Sequence, residues 1–291
     1  MHIDMMRITS VIHILSILFL SALASCNGQE AKLSESELRH RDSLALHVAV
    51  LPIADCLPLY VAKTRHLDDS VGLDLRLVRY DALMDIDTAY IRRHVDVAWE
   101  DSFRLAIYQQ HIPHFADTFY AIEPDTLWLP TPGRLFFMAS RKGKVKKLSH
   151  LTERMVAVTR WSLIDSLCTI VVDSAHVQQQ DVYRPQVNNV KLRLRMLREN
   201  LIDCAILPEP YASWAKSEKH RILYTFPDTL NTDSMGLRQS RLTGFFVRQS
   251  IFEDSLRTSQ LNLLRKVYDR GYEILEQEGL SAIDSLDVFS L

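Results

Sequence analysis

Short apolar runs alternate with amphipathic stretches from Leu46 onward, and this alternation predicts strands and helices in turn. Runs such as Leu46–Leu51 and Val95–Ala98 are short and closed by polar residues, so we interpret them as buried strands. The order of elements predicts an α/β fold with parallel, doubly wound sheets. The predicted strands cover residues 46–51, 73–78, 95–98, 135–139, 155–158, 204–207 and 244–247, and the predicted helices cover 55–66, 82–93, 102–110, 162–177, 190–199 and 259–277.

Two of the predicted strands end in similar polar segments. Val95–Ala98 is followed by Trp99–Ser102, and Cys204–Leu207 is followed by Pro208–Pro210 roughly 100 residues later. Ligand sites in open α/β sheets lie at the carboxyl ends of such strands. Two rims of this kind predict two lobes that face one cleft.

The N-terminal segment has the pattern of an export signal. Arg7 precedes the apolar run Val11–Leu20, which is too short to span a bilayer comfortably. The run ends in Leu23-Ala24-Ser25-Cys26, which resembles the lipobox of bacterial lipoproteins, in which the cysteine is acylated and becomes the new N-terminus. We therefore expect residues 1–25 to be a signal peptide, Cys26 to be lipidated and residues 26–45 to form a polar tether. A plain secretory signal and an uncleaved anchor helix are the alternatives.

The composition argues against several classes of function. The chain has 291 residues, of which 47% are hydrophobic and 24% charged, as in ordinary soluble proteins. A formal net charge of -2 offers no basic surface for nucleic acid. The sequence has 8 glycines and no glycine-rich phosphate loop, which weakens any nucleotide-dependent interpretation.

The cysteines do not define a site. Once Cys26 is set aside, Cys56, Cys168 and Cys204 remain, so at most one disulfide forms and one thiol stays free. Cys204 lies in an apolar strand and is most simply a small buried hydrophobic residue. Because no Cys-x-x-Cys pair occurs, we expect no structural zinc.

Two histidines have the spacing of a possible metal pair. His111 and His114 flank Pro113, which breaks helical geometry between them, and no carboxylate completes a ligand set. We therefore expect loop or surface histidines, with no metal and no cofactor.

Several segments together resemble periplasmic substrate-binding proteins of ABC importers. Val48–Leu51 with Pro58–Lys63 is similar to their first strand and helix, and Gly72–Leu75 and Val95–Ala98 continue that pattern. Asp203–Tyr211 is similar to the rim of their second lobe. The nearest subgroup contains binders of nitrate, of sulfonates and taurine, and of thiamine precursors.

This resemblance implies the two-lobed type 2 periplasmic-binding-protein fold (the Venus flytrap), in which each lobe is a mostly parallel sheet flanked by helices. Lobe one is expected over residues 46–140 and lobe two over residues 141–240, and residues 241–291 return to lobe one and include a terminal helix. Two crossings between the lobes form a hinge. The implied function is capture of a small polar organic ligand for an ABC permease, by a monomer that a lipid anchors to the membrane in the cell envelope, on the periplasmic or extracytoplasmic side.

The candidate ligand-binding residues lie where predicted strands end, because strand-end loops and helix N-termini line such clefts. Arg160 is the one obvious cation among them, against four acidic residues, which favours a cationic or nitrogen-rich ring stacked between Trp99 and Trp161. Ser162 also suits a helix cap, and Asp55 and Asp101 equally suit N-caps. The candidates are Asp55, Cys56, Trp99, Glu100, Asp101 and Ser102 in lobe one, and Thr159, Arg160, Trp161, Ser162, Glu209 and Tyr211 in lobe two.

The sequence carries none of the common hydrolase motifs, so we expect a binding protein and not an enzyme. Two alternatives stay open. One is a related enzyme of the thiamine-pyrimidine or menaquinone pathway type, and Lys63 and His66 on one helix face are similar to the former. The other is a binding-protein-like lipoprotein with no role in transport.

Overall fold

The computed structural model describes residues 35–101, 125–131, 134–227, 229–232, 237–241 and 243–283. The strands are β1 Leu46–Val50, β2 Leu75–Arg79, β3 Val97–Asp101, β4 Asp125–Thr131, β5 Leu135–Ala139, β6 Arg154–Ala157, β7 Val182–Tyr183, β8 Cys204–Pro208, β9 Arg221–Thr225, β10 Thr229–Thr232, β11 Leu237–Arg241 and β12 Thr243–Arg248. The helices are α1 Glu35–Leu44, α2 Leu57–Thr64, α3 Leu67–Ser70, α4 Leu83–Ile91, α5 Leu163–Ser174, α6 Val190–Arg198, α7 Tyr211–Ser217 and α8 Ser255–Glu278.

Helix α1 belongs to a unit of residues 1–44 that is separate from the compact unit beginning at Ala45. Its sequence is almost entirely polar, so the described part of the predicted tether is a solvated helix. Among the described residues, no helix is both long enough and apolar enough to cross a bilayer. Cys26 and the predicted signal peptide lie outside the described residues.

The first sheet of the compact unit has the strand order β2-β1-β3-β12-β4. Strand β1 pairs in parallel with β2 and β3, whereas β12 is antiparallel to β3 and β4. Val48, Ala49 and Val50 are consecutive and fully buried, which means that both faces of β1 are covered. This central strand therefore fixes the position of the loop that follows it.

The second sheet has the strand order β7-β6-β8-β5-β9. Strand β6 is parallel to β7 and β8, and β5 is antiparallel to β8 and β9. Phe137, Val156 and Ile206 form part of its core. Two mixed sheets flanked by helices confirm the predicted α/β two-lobed fold.

Two details differ from the sequence-based expectation. The sheets are mixed and not mostly parallel, and β5, which lies within the predicted lobe one range of 46–140, pairs in the second sheet. Strand β5 enters the second sheet antiparallel to both of its neighbours, β8 and β9, and β12 does the same between β3 and β4 in the first sheet.

Helix α8 holds one corner of the first lobe in place. It begins at Ser255, and the preceding residue, Asp254, caps it by accepting hydrogen bonds from the N–H groups of Leu256 and Arg257. Gly271 permits close packing on α2, because a Cβ atom there would lie 2.1 Å from the carbonyl oxygen of Pro58. One turn earlier, Tyr268 donates from its hydroxyl to the carbonyl oxygen of Asp55 at 3.0 Å. The helix thus orients the turn that carries Asp55.

Candidate ligand-binding cleft

An open-mouthed cavity lies between the two lobes. Strands β1 and β3 in lobe one and β6 and β8 in lobe two all end at this cavity, as expected for open α/β sheets. The lining residues are Leu51, Ile53, Asp55, Asp81, Leu83, Trp99, Asp101, Arg134, Leu135, Thr159, Ser162, Leu163, Ile164, Asn188, Val190, Arg193, Pro208 and Thr243.

Asp55 is the centre of the lobe one wall. It lies in a 3₁₀ turn after β1 and is only 6% exposed. Its Oδ2 accepts hydrogen bonds from Thr131 Oγ1 at 2.7 Å, Thr243 Oγ1 at 2.9 Å and Trp99 Nε1 at 3.2 Å. Burial raises the pKa of this carboxyl, and the three hydrogen bonds offset part of that shift. The turn therefore presents a firmly held carboxyl group to the cavity.

Strand alternation decides which β3 residues face the cavity. Trp99 and Asp101 lie two positions apart on one face of β3, and both line the cavity. Glu100 lies between them on the opposite face and is buried there. In the neighbouring strand, Thr243 is paired with Asp101 and also with Thr131 of β4. This register explains how the two threonines reach the same carboxyl group of Asp55.

Asp101 reaches across the cleft to helix α5 of the second lobe. Its Oδ2 accepts a hydrogen bond from the backbone N–H of Leu163 at 3.2 Å. Ser162, the N-cap of α5, accepts a second hydrogen bond from the N–H of Ile164 at 3.2 Å. The helix dipole favours negative charge at this end, so Asp101 is well placed electrostatically. The carboxyl group of one lobe thus completes the helix cap of the other.

Backbone contacts also join the lobes around the cavity. The N–H of Ala54 donates to the carbonyl oxygen of Glu209 at 2.8 Å. Ala82 forms an isolated antiparallel bridge with Asn189. Because these contacts involve only main-chain atoms, substitution of the side chains at these positions does not remove them.

Arg193 is the buried cation of the lobe two wall, with only 1% of its surface exposed. Its guanidinium donates to the carbonyl oxygens of Val187 and Ile206 and to Thr159 Oγ1, at 2.8, 2.9 and 2.7 Å. None of its hydrogen bonds in the described part of the chain goes to a carboxylate. Burial lowers its pKa to about 10, which still leaves it charged at neutral pH.

The structure brings five of the predicted site residues to the cavity: Asp55, Trp99, Asp101, Thr159 and Ser162. Cys56, Glu100 and Tyr211 are buried elsewhere. Glu209 accepts hydrogen bonds from the backbone N–H and the hydroxyl of Ser213, in the first turn of α7. The turn after β6 directs Thr159 and Ser162 inward, whereas Arg160 is exposed and Trp161 is 67% exposed. Trp99 and Trp161 therefore do not lie on one cavity, and Ser102 is outside the described residues.

Other lining residues escaped the sequence-based prediction. Arg193 lies inside a helix and Thr243 at the start of a strand that returns from the other lobe, so neither follows a predicted strand end. One signal in the sequence could have identified Arg193. Of the four basic residues of α6, it is the one that falls on the helix face formed by Val190, Leu194 and Leu197, and it is buried there. Thr131, behind Asp55, has no such signal.

The cysteines and histidines add little to the cleft. Cys56, Cys168 and Cys204 are buried free thiols, so the one disulfide that their number permits does not form. Burial raises the pKa of all three. In the ranges that the structure describes, no group of three His, Cys, Asp or Glu residues could hold a metal ion. His111 and His114 lie outside those ranges.

No protein-family model and no curated protein sequence matches this chain. Solved structures of periplasmic binding proteins are nevertheless similar to it. The aliphatic sulphonate binding protein SsuA from Escherichia coli superposes with a TM-score of 0.59 at 13% identity, covering 82% of this chain and 76% of that one. SsuA from Xanthomonas axonopodis pv. citri, bound to MOPS, gives 0.62 at 13% identity, with 84% and 78% covered.

The periplasmic nitrate-binding protein NrtA from Synechocystis PCC 6803 gives a TM-score of 0.63 at 10% identity, with 82% of this chain and 65% of that one covered. Identities this low establish similarity of fold alone. The chain therefore has the two-lobed fold of periplasmic binding proteins.

Proposed function

We propose that this protein is an extracytoplasmic solute-binding protein that captures a small organic molecule in the cleft between its lobes. The observation that carries the proposal is the convergence of Asp55, Asp101 and Arg193 on one cavity with a largely apolar wall. Small-molecule sites combine such apolar walls with a few fixed polar groups. The fold is also one in which two lobes close around a ligand.

We further propose that the ligand leaves the cleft chemically unchanged. The cavity lining in the described residues contains hydroxyl groups but no cysteine, histidine or lysine. Ser162, the serine of the described lining, donates its hydroxyl hydrogen to the carbonyl oxygen of Thr159 at 2.6 Å and caps α5. The hydrogen of this hydroxyl is thus directed at a carbonyl oxygen and not at a general base.

The partner that we propose is an ABC permease in the cytoplasmic membrane, to which the protein delivers its ligand as a monomer. The neighbours with this fold include binding components of import systems, and the export-signal pattern before Cys26 is consistent with that location. We propose that Cys26 carries the lipid that holds the protein at the membrane.

Lipidation is tested by metabolic labelling with a clickable fatty acid. Cys26→Ala is expected to abolish labelling and to release the protein from membranes, whereas Cys204→Ala, which changes a buried thiol, is expected to retain both. Undiminished labelling of Cys26→Ala contradicts the proposed anchor.

Binding is tested by a thermal-shift screen of the protein without residues 1–25 against amino acids, polyamines, thiamine precursors, sulfonates and nitrate. A ligand at one hundred times its Kd adds about 2.7 kcal/mol to the free energy of unfolding. The same ligand should reduce the radius of gyration in small-angle X-ray scattering, because the lobes close. If no compound changes either quantity and no permease co-purifies, the lipoprotein without a transport role becomes the better interpretation.

A further inference from the structure

The Asp55 carboxyl group lines the cavity, and its hydrogen bonds from other residues fall on one of its two oxygens. All three of its side-chain donors bond to Oδ2, and Oδ1 accepts no hydrogen bond from another residue in the part of the chain that the structure describes. The residue is more than nine-tenths buried and lines the cavity. The backbone N–H of Asp55 itself also bonds to this carboxyl group, and each carboxylate oxygen can accept more than one hydrogen bond. A ligand with a nitrogen-bound hydrogen can therefore add a donor at Oδ1.

The N-terminus of α5, which would suit an anion, is already bonded by a carboxylate of the protein. The N-terminus of α5 points at the cavity, and free N–H groups at such an end are a ready site for oxyanions. Here Asp101 bonds to the N–H of Leu163, and Ser162 bonds to the N–H of Ile164. A nitrate or sulfonate would have to displace a carboxylate of the protein to bind there.

The charges around the cavity favour the same ligand class. Its buried ionisable residues are the acids Asp55 and Asp101 and the base Arg193. The exposed Asp81 and Arg134 at the cavity offset one another. With the carboxyl groups ionised, the lining therefore carries one net negative charge. A ligand with a single positive charge neutralises it, whereas an anion adds to an existing excess in a region of low dielectric.

We propose that the ligand carries a protonated nitrogen group that donates hydrogen bonds to Asp55, and that Asp101 excludes simple oxyanions by occupying the N-terminus of α5. The inference rests on the proposed solute-binding function and specifies its ligand class. The apolar residues of the lining, such as Leu51, Leu83 and Trp99, suit a hydrophobic body attached to that group.

The test uses three probes that share one body and differ in charge: benzamidine, benzamide and benzoate, each titrated calorimetrically at low ionic strength. Benzamidine is expected to bind about 10- to 100-fold more tightly than benzoate, since a charge-assisted hydrogen bond contributes that much. Nitrate and methanesulfonate are expected to give no heat of binding. Equal affinity for the three probes, or tighter binding of benzoate, overturns the proposal.

Variants assign the preference to particular atoms. Asp55→Asn is expected to weaken benzamidine binding about 10- to 100-fold, and Asp269→Asn, on an exposed face of α8, is the matched control. Asp101→Ala is expected to give methanesulfonate measurable affinity because it vacates the end of α5. Retained benzamidine binding in Asp55→Asn overturns the assignment, and circular dichroism checks that each variant is folded.

The two proposals fail in different ways. If the broad screen finds an anionic ligand whose affinity is unchanged in Asp55→Asn, solute binding stands and the ligand class is wrong. If neither the screen nor the three probes bind to the folded protein, the solute-binding function itself is contradicted.

Discussion

The two walls of the cleft are built in different ways. In lobe one, Asp55 is held by side chains 44, 76 and 188 positions away along the chain, which meet on a single carboxylate oxygen. In lobe two, Arg193 is held by main-chain carbonyls and one threonine, with sequence separations of 6, 13 and 34. The lobe one wall therefore keeps a group ready for a partner, whereas the lobe two wall uses its charged group to fix its own backbone.

This comparison predicts that the Arg193 guanidinium is mainly structural. Arg193→Met is expected to lower the free energy of unfolding by about 3 kcal/mol or more, because it removes the guanidinium donors from two buried carbonyls and a hydroxyl. Urea denaturation measures the change. Arg195→Met, on the same helix but exposed and paired with Glu199, is the control and should change stability by less than about 1 kcal/mol.

A free energy of unfolding for Arg193→Met equal to that of the native chain would contradict the structural role of Arg193. That role is also contradicted if that variant folds with normal stability but loses only ligand binding, because Arg193 would then resemble Asp55.

Asp55 is expected to behave in the opposite way and to reduce stability near neutral pH. Its pKa in the folded protein is raised from the ordinary value of 3.8, so the folded state holds the proton more tightly than the unfolded chain does. Its stabilising contribution is therefore complete below the unfolded pKa and is lost as the pH rises through the folded pKa.

Asp55→Asn removes this dependence. The difference in free energy of unfolding, native chain minus variant, should decrease as the pH rises from about 3.8, and the variant should not be less stable at neutral pH. Denaturant titrations across this pH range measure it, with Asp269→Asn as the variant that should follow the native profile. A variant that loses stability equally at every pH indicates a packing role for Asp55 and no role for its charge.

The same contrast explains how far the sequence alone could reach. Strand ends predicted Asp55, Trp99 and Asp101, because alternation and short apolar runs locate the rim of a sheet without knowledge of its partners. They did not predict Thr131 or Thr243, because strand order within the sheet brings these residues to Asp55 and no local pattern records that order.

Loops mark a second limit. After β6, the sequence favoured Arg160 and Trp161 on chemical grounds, yet the turn sends both outward. Trp161 has a φ angle of 59°, which places it in the left-handed region. Large residues rarely adopt this conformation, so the sequence gives no reason to expect it there. The order of helices and strands was predictable from periodicity, whereas the direction of a side chain in a turn depends on dihedral angles that periodicity does not encode.

The smallest expected effect separates closure of the cleft from stability of the second lobe. Asp101 and Ser162 bond to consecutive N–H groups of α5, but Asp101 belongs to the opposite lobe. Asp101→Ala is expected to favour opening by about 1 kcal/mol and to increase the radius of gyration in small-angle X-ray scattering. Ser162→Ala removes a cap within one lobe, so it should lower the free energy of unfolding by about 1 kcal/mol and leave the radius unchanged. Equal changes in radius for the two variants would mean that the bond from Asp101 does not control closure, and that the main-chain contacts of Ala54 with Glu209 and of Ala82 with Asn189 hold the lobes instead.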